Sequence, residues 1–199
     1  MELRNRLRER FPVLVSERLR LRRIEKEDTE TLFACVNDPS VRRHTSFQKG
    51  TLLFPDRLFR YFDDTYQSLR DLHFGIEIKE GTGLIGICSL QFWDREAGRA
   101  RLGYLLAPSC WNRGFATEAA RSVVEFGFGT LQLSRIEARC SIHNPASEKV
   151  LRKCGFTPVK LAGERLQSGS DYGGGPGNEI HSFYLSKPAS ICYTNEIYL

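Results

Sequence analysis

The 199-residue sequence has no apolar run long enough to span a bilayer, and its charged N-terminus lacks the apolar core of a signal peptide. We therefore expect a cytoplasmic protein with no membrane partner. Its six cysteines are never closer than 14 positions, which excludes a zinc clip and a CxxC redox pair. The four histidines show no metal spacing either, and we expect no metal.

Two well-known phosphate-binding signatures give no support for a nucleotide site. The Walker pattern GxxxxGK[ST] does not occur in the chain, and the one GxGxxG match, Gly81–Gly86, lies between two apolar runs and does not lead into a predicted helix. Low-complexity tracts are absent, and the content of 41% hydrophobic and 27% charged residues is typical of globular proteins. This length and composition predict one domain with a packed core.

Positive charge is concentrated at the N-terminus. Residues 1–23 hold eight arginines and three glutamates, an excess of five that equals the net charge of the whole chain. Such an arm can contact RNA or an acidic partner. No aromatic interleaving or nucleic-acid motif accompanies it, so we expect a frayed extension before a solvated first strand, and no nucleic-acid partner.

The first half of the chain predicts strands and helices in alternation. Within residues 13–24, Leu19 and Leu21 alternate with arginines, which is the period of a half-buried strand. A helix capped by Asp28 follows, and residues 55–70 carry an apolar stripe at helical spacing. Two apolar runs then flank the Gly81–Gly83 turn as a predicted β-hairpin, with ARLGYLLA as its antiparallel neighbour.

The second half predicts an α/β unit. Apolar residues after Trp111 recur every three or four positions, which indicates a helix of about four turns. RIEARCSI follows as a strand, and a short helix has Asn144 as its N-cap, Pro145 as its first residue and Gly155 as its stop. Residues 163–178 are glycine-rich and predict a mobile surface loop before a last strand, HSFYLS.

The stretch WNRGFATEAA, residues 111–120, places Gly114 in a polar turn that runs into the predicted helix. Such a junction concentrates unpaired backbone N–H groups and the positive end of the helix dipole. Arg113 adds charge, and the missing Cβ of Gly114 allows close approach. The stretch therefore predicts an anion site, with a plain strand-to-helix connection as the alternative.

Several motifs around this stretch stand in a characteristic order: Trp111 and Ala116 at the two ends of a six-residue loop, "ATEA", "RIEAR", the Asn144–Ser147 pair and "VLRKCGF". They resemble the acetyl-coenzyme A binding half of the GCN5-related N-acetyltransferases (GNAT), and more narrowly the RimJ/RimL-like branch, which includes the ribosomal-protein-alanine N-acetyltransferases. "SERLRLRRIEKED" and "EIHSFYLS" fit the ends of that family, so the resemblance covers nearly the whole chain.

The resemblance implies a single-domain α+β (α/β mixed) fold. Its mixed central sheet should have about seven strands, splayed between the fourth and fifth strands and flanked by about four helices. We place the N-acetyltransferase domain at residues 13–187, between a basic N-terminal extension at 1–12 and a C-terminal tail of unassigned structure at 188–199. Acetyl-coenzyme A is the implied co-substrate.

The same resemblance implies the site residues. The backbone of Leu105, Leu106 and Ala107 should pair with the pantetheine arm, while Asn144 and Ser147 should face the pantetheine and the thioester. The N–H of Leu105 or Leu106 would stabilise the oxyanion, and Ser147 would contact the leaving thiolate, with a simple capping serine as the alternative. The pyrophosphate should be held by the six-residue loop of Trp111, Asn112, Arg113, Gly114, Phe115 and Ala116, together with Thr117.

Two positions depart from the family pattern. Many relatives place a general-acid tyrosine seven residues after the asparagine, where this chain has Leu151. The strand written EIGY in many relatives is RLGY here, so Arg101 replaces an acid that could lie near the acceptor. We expect solvated or paired surface roles for Glu77 and Asp94. Proton removal through water then needs no dedicated base.

The implied reaction is direct acetyl transfer from acetyl-coenzyme A to a primary amine, for which we favour a protein or peptide N-terminal α-amine. Alternatives are a small amine (polyamine, amino acid or aminoglycoside) and a non-catalytic acyl-coenzyme A binding module. Arg101 and the basic arm would oppose a polycationic acceptor. A covalent route through Cys110 or Cys140 is a further alternative, and the oligomeric state is open between monomer and homodimer.

Overall fold

The computed structural model describes residues 2–44, 54–159, 180–188 and 197–198. In these ranges nine strands form one mixed sheet with the order β7-β8-β6-β5-β4-β3-β2-β1-β9. The strands are β1 (Val13–Val15), β2 (Leu19–Arg23), β3 (Leu72–Ile78), β4 (Leu84–Asp94), β5 (Arg99–Leu106), β6 (Arg135–Ser141), β7 (Thr157–Pro158), β8 (Ile180–Ser186) and β9 (Ile197–Tyr198). The helices are α1 (Glu2–Glu9), α2 (Thr29–Asn37), α3 (Pro39–Arg42), α4 (Pro55–Gln67), α5 (Phe115–Gly129) and α6 (Pro145–Lys153).

The predicted single-domain mixed α/β fold is confirmed, with more strands than the expected seven. The predicted strand over 13–24 is a hairpin of β1 and β2, closed where the Ser16 N–H donates to the Leu19 carbonyl at 3.0 Å. The two-residue strands β7 and β9 add to the edges. Periodicity could not separate β1 from β2 because both bury leucines on the same side.

The sheet is splayed at the expected place. β5 and β6 run parallel and pair only from Arg99 with Arg135 to Leu102 with Ala138. β5 then continues to Leu106 beside β4, while β6 continues to Ser141 beside β8. The prediction counted these two strands as the fourth and fifth; dividing the first strand makes them β5 and β6. The gap opens toward the N-terminus of α5, which is the crossover helix between them.

The two faces of the sheet carry separate apolar layers. The larger layer packs α5 against the sheet and includes Phe74 and Phe126, whose rings make an edge contact at 5.6 Å between centroids. The smaller layer, with Leu32, Leu58 and Ile87, packs α2 and α4 on the opposite face. The glycine-rich 163–178 segment lies outside the described residues. Within the described ranges, every helix is too short or too polar to cross a membrane.

The N-terminal arm is not the frayed extension that we expected. Residues 2–9 form α1, and Leu7 is fully buried in the main core. The Tyr66 hydroxyl donates to the carbonyl of Leu7, and the Phe11 ring makes edge contacts with both Tyr66 and Phe74. The excess of arginine hid this helix in the sequence, because Leu7 is its one buried residue and Leu3 is only partly buried.

The predicted helix boundaries agree with the structure. Asp28 is the N-cap of α2, although its carboxylate accepts from the Glu25 N–H and from Arg22 and leaves the helix itself uncapped. Asn144 caps α6 with Pro145 as its first residue, and Gly155 follows α6 with a φ of +86°. The hairpin turn at Gly81–Gly83 joins β3 to β4.

Candidate active site

The loop that joins β5 to α5 presents bare backbone to solvent. Gly114 is the N-cap of α5 with a φ of +82°, and Asn112 is also left-handed, with a φ of +58°. Residues 111–114 are exposed. The first N–H groups of an α-helix have no acceptor within the helix, and glycine has no side chain to cap them. The predicted anion site therefore has open donors at the N-terminus of α5.

Arg18, in the turn between β1 and β2, organises this loop. Its guanidinium donates to Glu118 (Nε to Oε2, 2.7 Å) and to the carbonyl of Arg113 (Nη1 to O, 3.0 Å). The Arg18 N–H and the Ser16 hydroxyl donate to the other Glu118 oxygen at 2.7 and 2.8 Å. Glu118, an acid in the first turn of α5, is thus held by the β1–β2 turn and not by the helix N–H groups.

These contacts set the charge state of Glu118. Burial acts to raise the pKa of its carboxyl, but hydrogen bonds from the Arg18 N–H, the Ser16 hydroxyl and the Arg18 guanidinium outweigh burial, and the pKa falls below its ordinary value. Glu118 is therefore ionised at neutral pH. It neutralises part of the charge of Arg18 while fixing its position.

Two guanidinium groups lie near the aromatic ring that begins α5. The Cζ atoms of Arg18 and Arg113 lie 4.7 and 4.8 Å from the centroid of Phe115, whose ring is buried. A Cβ built on Gly114 would meet one atom within 4 Å, which is Arg18 Nη2 at 3.3 Å. The open backbone of Gly114 therefore lies beside a cation, and backbone donors and positive charge converge on one spot.

The β5 edge presents every second residue's backbone N–H and C=O groups to the splay, the gap between β5 and β6. The Ala107 N–H donates to the Ile85 carbonyl of the β4 side at 2.8 Å, and the Ala107 carbonyl accepts from Cys110. Since backbone groups alternate along an antiparallel strand, the Leu105 N–H also points to β4, and the Leu106 N–H points to the gap. Of the two predicted oxyanion donors, the geometry favours Leu106. Both backbone groups of Ala107 already have partners.

Trp111 ties the loop to this edge. Its indole Nε1 donates to the Leu106 carbonyl at 2.8 Å, while 39% of the residue stays exposed. The loop therefore starts at a fixed distance from the strand that carries the candidate oxyanion donor. The predicted loop residues and Leu106 are brought together in this way.

Ser147 lies on the other side of the splay, in the first turn of α6. Its N–H donates to Asn144 Oδ1 at 3.0 Å, so the pair predicted from sequence is in contact, with Asn144 acting as the cap. The Tyr104 hydroxyl, from β5, lies 2.8 Å from Ser147 Oγ and 2.9 Å from the Ser147 carbonyl oxygen. The Ser147 hydroxyl is therefore free of the capping role, because the Asn144 side chain performs it.

The Cys140 thiol near this pair is a poor nucleophile. Burial raises the pKa of Cys140 to about 11, and the negative charge of Glu148 adds to the effect, while the Ser147 hydroxyl opposes it. A thiol in this state is protonated at neutral pH and reacts slowly. Cys140 belongs to the main core, as does Cys110. Both thiols therefore have the environment of small buried hydrophobic residues.

The carboxylates considered as bases are engaged elsewhere. Glu77 accepts from Arg22 at 2.8 Å, and Arg22 also binds Asp28. Asp94 accepts from the Ala97 N–H at 2.9 Å at the β4–β5 turn. The expected paired or surface roles of both acids are thus observed. Arg101, on the face of β5 away from α5, has its Cζ 4.8 Å from the Phe92 ring.

His73 takes part in a buried polar network and not in a metal site. Its Nδ1 lies 2.7 Å from Ser89 Oγ, and its Nε2 lies 3.6 Å from Asp71 Oδ2. Asp71 also accepts from the Phe92 N–H and from Arg70. Across the described parts of the chain, histidine, cysteine, aspartate and glutamate form no cluster of three able to hold a metal ion.

Sequence reasoning missed Arg18 and Tyr104 as site residues. Arg18 lies nearly 100 positions before the loop, and Tyr104 lies 43 positions before Ser147. Both stand inside quoted motifs, Arg18 in "SERLRLRR" and Tyr104 in "RLGY". Their side-chain directions were the missing information. The position that carries a tyrosine in many relatives, Leu151, is 1% exposed in the core.

Comparisons with known proteins agree with this arrangement. The family model described as "Acetyltransferase (GNAT) domain" matches residues 18–157. Uncharacterized N-acetyltransferase YoaA of Bacillus subtilis (strain 168) is 34% identical over 164 residues, which cover 81% of this chain and 93% of that protein.

Solved structures share the fold at lower identity. A "putative ribosomal-protein-serine acetyltransferase" from Vibrio cholerae has a TM-score of 0.72 at 22% identity, covering 87% of this chain and 97% of that one. Spermidine N-acetyltransferase from Vibrio cholerae, solved in complex with CoA and spermine, has a TM-score of 0.70 at 19% identity, covering 86% and 97%.

Proposed function

The chain belongs to the GNAT acetyltransferase family, and on that premise we propose that its acceptor is the N-terminal α-amine of a protein or peptide. Membership makes it an acetyl-coenzyme A-dependent N-acetyltransferase. The observation that supports a built cofactor site is the open N-terminus of α5 at Gly114, beside the guanidinium of Arg18.

The charges of the loop suit the pyrophosphate of coenzyme A. The N–H groups from Asn112 to Thr117 and the side chains of Arg18 and Arg113 supply donors and positive charge to an anion. A side chain at position 114 would fill the space beside this backbone. The gap between β5 and β6 then accommodates the pantetheine arm, with the Leu106 N–H on one side and Ser147 on the other.

Each residue of the site has one task in the transfer. Acetyl-coenzyme A, when bound, supplies an activated acetyl group on sulfur. The Leu106 N–H donates to the carbonyl oxygen as negative charge develops there, and the Ser147 hydroxyl donates to the sulfur. Holding both reactants in the splay lowers the entropic cost of their encounter.

The bonds and protons balance without a covalent enzyme species. Amide formation joins the acceptor nitrogen to the acetyl carbon as the carbon–sulfur bond breaks, and the electron pair of that bond stays on sulfur. An ammonium acceptor loses two protons. One goes to solvent before attack, which an α-amine with an ordinary pKa near ~8 permits without a dedicated base. The nitrogen loses the second proton during the transfer, and the coenzyme A sulfur takes up one proton to form the thiol.

We place the acceptor near Arg101, on the sheet face that carries α2 and α4, and the charge on this face supports a peptide acceptor over a polyamine. A polyamine needs carboxylates to bind its cationic chain. On the face that carries α2 and α4, Asp28 and Glu77 are both bound by Arg22, and Arg101 adds a further positive charge. A single α-amine with a neutral or acidic neighbour meets less repulsion there.

The test is acetyl transfer followed by mass spectrometry. Purified protein and acetyl-coenzyme A are offered matched peptides with free or blocked N-termini, together with spermidine, free amino acids and an aminoglycoside. We expect an added acetyl group on free N-termini and none on the blocked peptides. Acetylation of spermidine in preference to every peptide would contradict the proposed acceptor and favour a small amine.

A further inference from the structure

Tyr104 is the half-buried tyrosine of β5 whose hydroxyl contacts the start of α6. Its Oη lies 2.8 Å from Ser147 Oγ and 2.9 Å from the Ser147 carbonyl oxygen. Leu102 and Leu106, the residues two positions away on either side, are buried in the core beside α5, which places the ring of Tyr104 on the same face. The phenol thus joins β5 to the first turn of α6.

The position of this contact in the splay is specific. β5 and β6 stop pairing at Leu102 and Ala138, two residues before Tyr104. The phenol therefore lies where the strands separate, between the edge that carries the Leu106 N–H and the helix that carries Ser147. In this chain Leu151 is core, so a hydroxyl reaches this region from β5 and not from the middle of α6.

A phenol has one proton to donate, while Ser147 offers it two acceptors. The Asn144 side chain already binds the Ser147 N–H, so the Ser147 hydroxyl is not required as a cap. If the Ser147 hydroxyl donates to a third group, its lone pairs can accept from Tyr104. If it does not, the phenol can donate to the Ser147 carbonyl at a similar distance. When Tyr104 donates to the serine oxygen, the serine proton is available to a third group, either Cys140, whose side chain also bonds to this hydroxyl, or a thiol bound in the splay.

The surroundings keep the phenol neutral. Burial raises the pKa of Tyr104 above its ordinary value, and the hydrogen bond with Ser147 only partly opposes this. The titratable groups whose charge acts on Tyr104 or on its neighbour Cys140 are Cys88, Cys140, Cys154 and Glu148. The three thiols are protonated at neutral pH because burial raises the pKa of each. Tyr104 therefore acts as a hydrogen-bond donor and does not supply a charge.

We propose that Tyr104 is a positioning residue that holds the Ser147 hydroxyl for hydrogen bonding to the sulfur of coenzyme A. This inference rests on the proposed use of Ser147 in acetyl transfer. Tyr104 would thus support the hydrogen bond to the leaving thiolate. Among the described tyrosines, no other has its hydroxyl beside Ser147.

The test compares coenzyme A with desulfo-coenzyme A, in which hydrogen replaces the thiol, by calorimetry on wild type and on Tyr104→Phe, Ser147→Ala and the double variant. We expect wild type to prefer coenzyme A, and each single variant to lose about five- to tenfold of that preference, since a charge-assisted hydrogen bond is lost. The double variant should lose no more than Ser147→Ala, because the two residues act as one unit.

A second readout follows the bound thiol directly. The ultraviolet absorbance of the thiolate, titrated with pH, should show a lower thiol pKa on wild type than on Tyr104→Phe. Tyr184→Phe is the matched control, because Tyr184 lies on β8 with its ring against Arg135. We expect this control to match wild type, and circular dichroism should show the same fold in all variants.

The outcomes separate this inference from the proposed function. If wild type binds neither ligand, both ideas are wrong. If wild type binds both ligands and Tyr104→Phe keeps the full preference for coenzyme A, the positioning role is wrong while cofactor binding stands. The same conclusion holds if the effects of Tyr104→Phe and Ser147→Ala add in the double variant.

Discussion

The guanidinium of Arg18 and the carboxylate of Glu118 are joined by a hydrogen bond of 2.7 Å from Nε to Oε2 and an ion pair of 2.6 Å from Nη2 to Oε2. The two residues are 100 positions apart, and their contact connects the β1–β2 turn to the first turn of α5. Arg18 also donates to the Arg113 carbonyl. The shape and charge of the candidate pyrophosphate loop therefore depend on a residue outside it.

Arg18→Ala should weaken the binding of coenzyme A about tenfold, because it removes a cation and the support of the Arg113 carbonyl. Isothermal calorimetry measures the affinity. Arg20→Ala is the matched control: Arg20 is on the same hairpin, but its side chain is 54% exposed and 3.8 Å from Glu77. Equal losses in both variants would contradict a specific role for Arg18.

Glu118→Gln should reduce stability at neutral pH, because Arg18 loses its carboxylate partner. The expected loss is only about 1 kcal/mol, since solvent screens the exposed part of the ion pair. The folded-state pKa of Glu118 is lowered from 4.5, so its contribution is fully present above about pH 4.5 and is lost as the pH falls through the lowered value. Denaturant unfolding at neutral pH and near pH ~3 measures both limits. A destabilisation of equal size at the two pH values would argue against this linkage.

Gly114→Ala should cost about 1 kcal/mol of stability, because φ is +82° there, and should also weaken coenzyme A binding. Gly83→Ala supplies the comparison, since Gly83 has a φ of +77° and open space around its Cβ position. Both variants should unfold at lower denaturant concentration than wild type. Only Gly114→Ala should change the affinity, and unchanged affinity would place the cofactor away from this loop.

Asn144→Ala should destabilise the protein by about 1 kcal/mol through loss of the N-cap and should also lower kcat, since Ser147 loses its support. Asp38→Ala removes another N-cap, that of α3, where the Asp38 carboxylate accepts from the Ser40 N–H. Steady-state kinetics on both variants distinguishes the two effects. Asp38→Ala should retain the wild-type kcat. An equal decrease of kcat in Asp38→Ala would mean that Asn144→Ala lowers activity only through reduced stability.

Cys140→Ala should keep kcat within about twofold of wild type, because a thiol with a pKa of about 11 is protonated at neutral pH. Turnover is measured by thiol release under saturating acetyl-coenzyme A. Ser147→Ala, on the same side of the splay, should be slower by about tenfold or more. If Cys140→Ala lost activity as fully as Ser147→Ala, the covalent thiol route would regain support.

The sequence was most informative where chemistry is local. Asn144, Pro145 and Gly155 mark the ends of α6 because capping, a fixed φ and a positive φ are properties of single residues. The same holds for Gly114 at the start of α5. Alternation also indicated the hairpin of β3 and β4 and its neighbour β5.

Patterns with ambiguous periodicity were less informative. The N-terminal arm was expected to fray because arginine dominates it, yet Leu7 is fully buried and α1 packs on the core. A single buried leucine per two turns gives too little signal for a helix. Similarly, β1 and β2 together read as one strand, since a tight turn at Ser16–Arg18 contains neither glycine nor proline.

The sequence by itself determined the order of the main strands and helices from β2 to α6, the family, and the loop that should bind an anion, because each depends on neighbouring residues or on motifs at short spacing. Only the tertiary structure decided which distant side chains complete the site. Arg18 reaches the loop because β1 and β2 form a hairpin beside α5, and Tyr104 reaches Ser147 because β5 and β6 separate after Leu102. Such contacts depend on side-chain direction and strand register, which a linear pattern does not specify.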